Sequence, residues 1–211
     1  MILPKLYPIL DTATLAQRDA SLLSATRAFL NAGATLLQIR HKEHWSRGIF
    51  AEAEAASQLC RERGATLIVN DRADIAVLLD AGLHIGQDDL PPTVARRLIG
   101  ADRVLGFSTH SQAQVSAAAL EPVDYIAIGP IFPTKSKQHP DPTLGLEHMR
   151  EWRALVKLPL VAIGGIDRSN AQAVLNAGAD SVAIIGDLYP DSATEQTLFE
   201  RAAEWRRLID R

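Results

Sequence analysis

The stretch Leu67–Asp89, LIVNDRADIAVLLDAGLHIGQDD, decides the fold class of this chain. Its first three residues form a fully apolar run, which is typical of a buried parallel strand, and the run ends abruptly at Asn70-Asp71. A short helix is predicted over Ile75–Leu79, and Leu83-His84-Ile85 then begins a second strand that ends just before Asp88-Asp89. Two successive strands, each followed by carboxylates, indicate a parallel α/β sheet with acidic side chains at one edge.

The same strand–helix unit recurs along the whole chain. A glycine marks the step from helix to strand five times, and we expect each of these glycines to end its helix in the left-handed conformation. The motifs are Ala32-Gly33-Ala34, Arg63-Gly64-Ala65, Ala81-Gly82-Leu83, Ile99-Gly100-Ala101 and Ala177-Gly178-Ala179. Eight strands are predicted, at Lys5–Leu10, Leu36–Ile39, Leu67–Val69, Leu83–Ile85, Val104–Phe107, Tyr125–Ile128, Leu160–Ile163 and Ser181–Ile185. Eight such units in residues 1–211 predict a single-domain α/β protein, a (β/α)8 TIM barrel, with an open doubly wound sheet as the alternative.

Composition narrows the class of function. The 211 residues include 22 Lys and Arg against 25 Asp and Glu, a net charge of −3. Such a balance argues against nucleic-acid or membrane-surface binding, which depends on a basic excess. Cys60 is the only cysteine, so no disulfide forms within the chain, and its apolar helical surroundings indicate a structural thiol. With no apolar run as long as a membrane span, we expect a cytoplasmic protein.

Polar residues follow nearly every predicted strand, and in a parallel barrel these positions share one mouth. They are Arg40 and Lys42, Asn70 and Asp71, Asp88 and Asp89, Ser108 to His110, Thr134 to Lys137, Gly164-Gly165, and Gly186. Asp71 and Asp89 end neighbouring strands, and paired carboxylates beside amides suit Mg²⁺ that also holds a phosphate. The alternative is that Asp71 caps the next helix and that Asp88 or Asp89 closes a turn.

The remaining mouth residues suit anions. Barrels often bind a phosphate on backbone amides after strands seven and eight, where Gly164, Gly165 and Gly186 stand, although glycines also serve turns. Arg40 and Lys42 alternate with Ile39 and His41, so they project the same way if the strand continues, and they could then hold a diphosphate. The alternative is a solvated strand end. These patterns predict an enzyme that uses a Mg-bound diphosphate as a leaving group and binds a second phosphate elsewhere; the carbon group it transfers stays open.

Five motifs together resemble the thiamine-phosphate synthase family. They are Gln38-Ile39-Arg40-His41-Lys42, Val69-Asn70-Asp71-Arg72, His84-Ile85-Gly86-Gln87-Asp88-Asp89, Gly129-Pro130-Ile131-Phe132-Pro133-Thr134-Lys135-Ser136-Lys137 and Ala162-Ile163-Gly164-Gly165-Ile166. The resemblance spans strands two to eight in order. It implies a (β/α)8 transferase that joins hydroxymethylpyrimidine diphosphate to thiazole phosphate, giving thiamine phosphate and diphosphate. It also implies a dissociative mechanism, in which diphosphate leaves before the thiazole nitrogen attacks.

The resemblance also implies roles for individual residues. Asp71 and Asp89 would ligate Mg²⁺, the cofactor, and Arg40, Lys42 and Lys137 would be catalytic. The pyrimidine diphosphate would be held by Gln38, Ile39, Arg40, His41, Lys42, Asn70, Ser108 and Lys137. The thiazole phosphate would be held by Thr134, Lys135, Ser136, Gly165, Ile185 and Gly186. The expected partners are these small molecules, with no nucleic acid and no membrane, and a homo-oligomer is left open.

Three positions depart from the family pattern. His41 stands where an acidic residue is frequent, Ser136 where threonine is common, and Gly186 where serine is common. The last change removes a side-chain donor to the thiazole phosphate but keeps the backbone amide. Two alternatives remain: a thiazole tautomerase of the same fold, which usually has histidine where Pro130 stands, and a non-catalytic paralogue that binds thiamine precursors.

Overall fold

Strands and helices alternate throughout the computed structural model, which describes residues 2–134 and 141–210. The strands are β1 (Leu6–Asp11), β2 (Leu36–Arg40), β3 (Thr66–Asn70), β4 (Gly82–Ile85), β5 (Leu105–Thr109), β6 (Tyr125–Ile128), β7 (Leu160–Ile163) and β8 (Ser181–Ile184). The helices are α1 (Thr12–Ala16), α2 (Leu22–Asn31), α3 (Arg47–Glu62), α4 (Ala73–Leu78), α5 (Pro92–Ile99), α6 (Gln112–Ala118), α7 (Gly145–Arg153), α8 (Ala171–Asn176) and α9 (Glu195–Ile209). A short 3-10 helix spans Gly186–Leu188.

The sheet closes on itself, which confirms the predicted (β/α)8 barrel and excludes the open doubly wound sheet. Each strand pairs in parallel with its sequence neighbour, and β1 also pairs with β8. Because all the strands run in the same direction, their carboxyl ends form one rim, at which the predicted polar residues collect.

The ends of the strands differ from the sequence prediction in a way that matters for the site. The first strand continues to Asp11, one residue beyond the predicted end, and α1 follows directly although it was not predicted. Asp11 starts that helix because its side chain accepts a hydrogen bond from the Thr14 N–H (2.9 Å). Strands β3 and β5 likewise extend to Asn70 and Thr109. The parallel ladder therefore holds several residues that were expected in loops.

The prediction that a left-handed glycine ends each helix is confirmed at four of the five motifs and is wrong at Gly82. Gly33, Gly64, Gly100 and Gly178 all have a positive φ, whereas the left-handed residue before β4 is Asp80, at φ 52°. Gly82 instead lies in the strand, where a Cβ would come within 2.8 Å of the Val104 carbonyl oxygen. Close contact between neighbouring strands, rather than helix termination, therefore requires glycine at this position.

The core has two layers. The larger cluster lies between the barrel and the surrounding helices and includes Phe29, Trp205 and the buried thiol Cys60. The smaller cluster fills the barrel with strand residues such as Tyr7, Ile68 and Tyr125. Within the part of the chain that the structure describes, no helix is long and apolar enough to cross a membrane.

Candidate active site

A cavity of about 880 Å³ opens at the carboxyl ends of the strands. Side chains from β1 to β8 line it, together with the loops that follow them, and both acidic and basic groups are present. The barrel therefore brings residues from distant parts of the sequence to one mouth, as the strand pattern predicts.

Two cations of the mouth are each paired with a carboxylate from a neighbouring strand. Arg40, the last residue of β2, donates from Nη1 to Asp11 Oδ2 at 2.5 Å. Lys42 lies just beyond β2 and forms an ion pair with Asp71, which follows β3. Arg40 and Lys42 both line the cavity, although β2 ends at Arg40 and Lys42 lies beyond the strand.

Asp71 and Asp89 are close enough to interact electrostatically. Burial raises the pKa of Asp89, and the adjacent Asp71 carboxylate raises it further, while the Gly86 N–H opposes both effects. That N–H donates to Asp89 Oδ2 at 2.7 Å, so Asp89 closes a turn, as the alternative interpretation proposed. Asp71 does not cap α4, whose first turn has no side-chain cap, and its own φ is +64°.

This pair of carboxylates fits a divalent cation. Two neighbouring anions, one with a raised pKa, gain from a shared positive ion. Among residues 2–134 and 141–210, no group of three His, Cys, Asp or Glu side chains could hold a metal. A cation held by Asp71 and Asp89 would therefore need oxygens from a ligand or water, which is the coordination that Mg²⁺ keeps at phosphate sites.

Asn70 presents a buried amide donor with no partner among the residues that the structure describes. Its side chain lines the cavity, the residue is only 7% exposed, and its Nδ2 makes no hydrogen bond to any of residues 2–134 and 141–210. An unpaired buried amide is unfavourable, and such groups in native proteins commonly meet a ligand or water. The orphaned Asn70 amide thus marks where a ligand acceptor fits.

Below the mouth, a chain of hydrogen bonds crosses the barrel interior. Gln38 Nε2 donates to the Tyr7 hydroxyl (2.8 Å), which lies 3.0 Å from the Tyr125 hydroxyl. His84 joins Tyr125 through Nδ1 (2.9 Å) and Ser108 through Nε2 (2.8 Å). Burial raises the pKa of both tyrosines, so they stay protonated and the chain remains uncharged there. The network fixes the side chains that form the floor of the cavity.

The opposite side of the cavity is built from main chain. The Phe132 N–H donates to the Gly164 carbonyl (3.0 Å), and the Ile131 N–H donates to the Ile163 carbonyl (2.9 Å). These bonds bind the loop after β6 to the end of β7. Gly164 and Gly165 both have positive φ. A Cβ on Gly165 would lie 2.5 Å from the Pro133 carbonyl oxygen. The loop after β6 and the end of β7 can therefore approach this closely only because residue 165 is glycine.

A carboxylate lies beside Gly186, one of the glycines predicted to bind a phosphate. Asp187 lines the cavity directly after Gly186, and Arg168 holds it through an Nε–Oδ2 contact of 2.9 Å. Arg201 also approaches Asp187, at 3.9 Å, and contacts Glu204 as well. The negative charge of Asp187 is therefore balanced by Arg168, from the loop between β7 and α8, and by Arg201, from α9.

Most of the predicted site residues meet in this one cavity. Its lining includes Gln38, Arg40, Lys42, Asn70, Asp71, Asp89, Ser108, Thr134, Gly165, Ile185 and Gly186. Lys135, Ser136 and Lys137 lie outside the described residues.

Two residues in the predicted pyrimidine diphosphate site have side chains elsewhere. Ile39 is fully buried in the outer core, because alternation along β2 turns it away from the barrel interior. His41 contacts the Thr12 hydroxyl (2.7 Å) and the His44 carbonyl oxygen (3.1 Å), and it does not line the cavity. Neither side chain reaches the space where the other predicted residues converge.

Sequence reasoning missed several residues of the site. Tyr7 and Tyr125 line the cavity but look like ordinary strand residues in the sequence. Asp11, which contacts Arg40 from beside the cavity, was missed because the first strand was ended at Leu10; a carboxylate at the end of a predicted strand was the available signal. Asp187 was missed because the prediction at this strand end concerned only its neighbour Gly186, as a phosphate-binding glycine.

Comparison with known proteins agrees with this site. A family model described as thiamine monophosphate synthase matches residues 6–188. Thiamine-phosphate synthase of Koribacter versatilis (strain Ellin345) is 42% identical over 98% of this chain and 96% of its own length. The protein of that name from Moorella thermoacetica is 44% identical over 85% of each chain. A solved structure, thiamine phosphate pyrophosphorylase from Pyrococcus furiosus, has a TM-score of 0.84 and 32% identity, covering 98% of this chain and 95% of that one. The chain therefore belongs to the thiamine-phosphate synthase family, a family of transferases in thiamine biosynthesis.

Proposed function

We propose that this protein couples hydroxymethylpyrimidine diphosphate to thiazole phosphate, releasing diphosphate and forming thiamine phosphate. The observation that carries this proposal is the convergence, in one cavity, of paired carboxylates, strand-end cations and an orphaned amide, opposite a wall of exposed main chain. Family membership supports the choice of these two substrates.

The diphosphate end of the site is assigned to Arg40, Lys42, Asn70 and Ser108. Arginine and lysine offer charge-assisted hydrogen bonds, and the unpaired Asn70 Nδ2 adds a donor. Asp71 and Asp89 are the residues that would hold Mg²⁺. When bound, this ion would neutralise charge on the departing diphosphate. His84 donating to Ser108 Oγ would leave the serine hydroxyl free to donate into the cavity.

The thiazole phosphate is assigned to the main chain at Gly165, Ile185 and Gly186, with Thr134 on the facing loop. Glycine lets a phosphate approach backbone N–H groups without a Cβ in the way. Lys135 and Ser136 are proposed for the same phosphate. Arg168 and Arg201 keep the Asp187 carboxylate paired, which limits its repulsion of the phosphate.

No protein nucleophile is needed in the proposed mechanism. The carbon–oxygen bond to diphosphate breaks first, and the thiazole nitrogen then attacks the pyrimidine carbon. The protein acts by stabilising the charge that develops on diphosphate through Arg40, Lys42 and Lys137. Lys137→Ala is accordingly expected to lower kcat more than it raises the KM for thiazole phosphate. An effect confined to that KM would assign Lys137 to the other substrate.

A coupling assay tests the function. Purified protein is mixed with both substrates and Mg²⁺, with and without a chelator, and thiamine phosphate is followed by fluorescence after oxidation. Chelator-sensitive product is the expected result. If no product forms while the protein binds thiazole phosphate, the proposal fails, and isomerisation of that ligand would then indicate the tautomerase.

Matched variants test the metal site. Asp71→Ala and Asp89→Ala are each expected to abolish Mg-dependent turnover with the fold intact by circular dichroism. Asp88→Ala is the control, because Asp88 is an exposed carboxylate next to Asp89 on the same cavity. Near-normal activity of the Asp71 or Asp89 variant would remove that carboxylate from the metal site.

A further inference from the structure

Asp11 is a buried carboxylate that belongs to none of the assigned binding groups. The residue is 4% exposed, at the carboxyl end of β1, and its side chain does not line the cavity. Burying a carboxylate is unfavourable unless charged or hydrogen-bonding partners surround it. The two oxygens of Asp11 therefore have to be accounted for by specific contacts.

Each oxygen has a separate task. Asp11 Oδ1 accepts from the Thr14 N–H (2.9 Å) and from the Thr14 hydroxyl (2.6 Å), which caps α1. Asp11 Oδ2 accepts from Arg40 Nη1 at 2.5 Å. The cap requires only Oδ1, so the second oxygen and the negative charge are left for the guanidinium.

The barrel itself fixes this contact. Asp11 and Arg40 are direct partners in the register between β1 and β2, so the two backbones are held side by side. The side chain of Arg40 is 19% exposed and that of Asp11 only 6%, which shields the pair from solvent. An arginine has a long flexible side chain, and a rigid carboxylate at one Nη restricts the directions in which its remaining donors point.

We propose that Asp11 is a positioning residue, which holds the Arg40 guanidinium so that its remaining N–H groups face the diphosphate. This inference rests on the proposed function, in which Arg40 contacts the leaving group. Asp11 itself touches no substrate. Orientation of donors toward developing charge affects the transition state more than ground-state binding, because the effect is greatest where charge builds up.

Asp11→Asn separates positioning from capping. The amide oxygen can still cap α1, whereas an amide nitrogen in place of Oδ2 cannot accept from Arg40. We expect kcat to fall about tenfold or more, with the KM for pyrimidine diphosphate changed less than about threefold and that for thiazole phosphate unchanged. Asp11→Glu restores the charge and is expected to recover part of kcat.

Thr14→Val is the matched control. It removes the hydroxyl bond to Asp11 Oδ1 and disturbs the same helix cap, but leaves Oδ2 and Arg40 untouched. Its kcat is expected to stay within about twofold of that of the parent protein. Equal kcat values for Asp11→Asn and Thr14→Val would overturn the inference. Absence of activity in the parent protein would instead refute the proposed function.

Chemical rescue of Arg40→Ala by guanidinium is a second test, which does not rely only on the Asp11→Asn single variant. In Arg40→Ala, the Asp11 carboxylate is left facing the vacated space, where millimolar guanidinium could bind. We expect added guanidinium to raise the turnover of Arg40→Ala but not that of Arg40→Ala/Asp11→Asn. Equal rescue of both variants would show that Asp11 does not hold the cation, and rescue of neither would also count against the inference.

Discussion

Replacing Gly165 with alanine is expected to destabilise the protein well beyond the effect of an ordinary left-handed glycine. Gly165 has a φ of +63°, and a Cβ there would lie 2.5 Å from the Pro133 carbonyl oxygen and 2.7 Å from Phe132 Cβ. A left-handed alanine costs about 1 kcal/mol after the gain from a less flexible unfolded chain. Overpacking against backbone adds about 1–3 kcal/mol.

Gly64 separates these two contributions. Its φ is +65°, almost the same, but a Cβ there meets nothing within 4 Å. Gly64→Ala should therefore lower the Tm by about 2–4 °C, and Gly165→Ala by roughly 4–16 °C, for a chain of this size. Differential scanning calorimetry measures both values.

Gly165→Ala should also raise the KM for thiazole phosphate. The new methyl group would push the segment at Phe132 and Pro133 away from β7 and shift Thr134 with it. Gly64, far along the chain at the end of α3, should leave this KM unchanged. Equal losses of Tm in the two variants would refute the close contact and the role assigned to this wall of the cavity.

Three further predictions concern groups whose charge or reactivity the structure perturbs. Because the pKa of Asp89 is raised in the folded state, metal-free protein should lose stability as the pH rises through that pKa. Asp71→Asn should lower this pKa and weaken the loss, as followed by NMR titration of the carboxyl carbon and by denaturation at each pH. Lys42→Ala removes the ion-pair partner of Asp71. The variant should bind Mg²⁺ more tightly in the absence of substrate and should bind pyrimidine diphosphate more weakly. Calorimetric titrations with the two ligands in which both affinities change in the same direction would contradict this. Burial raises the pKa of Cys60 to about 12, so the native protein should resist iodoacetamide at neutral pH and react once unfolded; rapid native labelling would contradict the burial.

The repeated strand–helix pattern was enough to predict the barrel and the mouth that carries the site. Asp71 and Asp89 could be paired from sequence because each follows a short, largely apolar segment that was predicted as a strand, and parallel strands end at one rim. Exact strand ends were harder to predict. Asn70 and Thr109 look like loop residues by composition, and only the hydrogen bonds of the closed sheet place them in strands.

Side-chain pairing was the part that sequence could not provide. Asp11 and Arg40 are 29 positions apart, and their contact depends on the register of β1 against β2. The family pattern also brought Ile39 and His41 into the predicted site along with their neighbours. Alternation along β2 turns the Ile39 side chain away from that of Arg40, and the His41 side chain contacts Thr12 and His44 instead, so a contiguous motif overstates how many side chains line the cavity.

The ion pairs of the mouth suggest why a diphosphate would bind with its metal. Lys42 is paired with Asp71 before any ligand arrives. A bare diphosphate that captured Lys42 would leave Asp71 and Asp89 as unpaired carboxylates beside a polyanion, which is unfavourable. A diphosphate that carried Mg²⁺ would supply a new partner to both carboxylates, and Lys42 would then be free to pair with the phosphate oxygens. Asp71→Asn should therefore bind metal-free diphosphate more tightly than the parent protein does, and isothermal titration with a chelator present measures this. Weaker metal-free binding by Asp71→Asn would mean that the carboxylate does not reject the bare anion, and that selection for the metal complex arises elsewhere in the site.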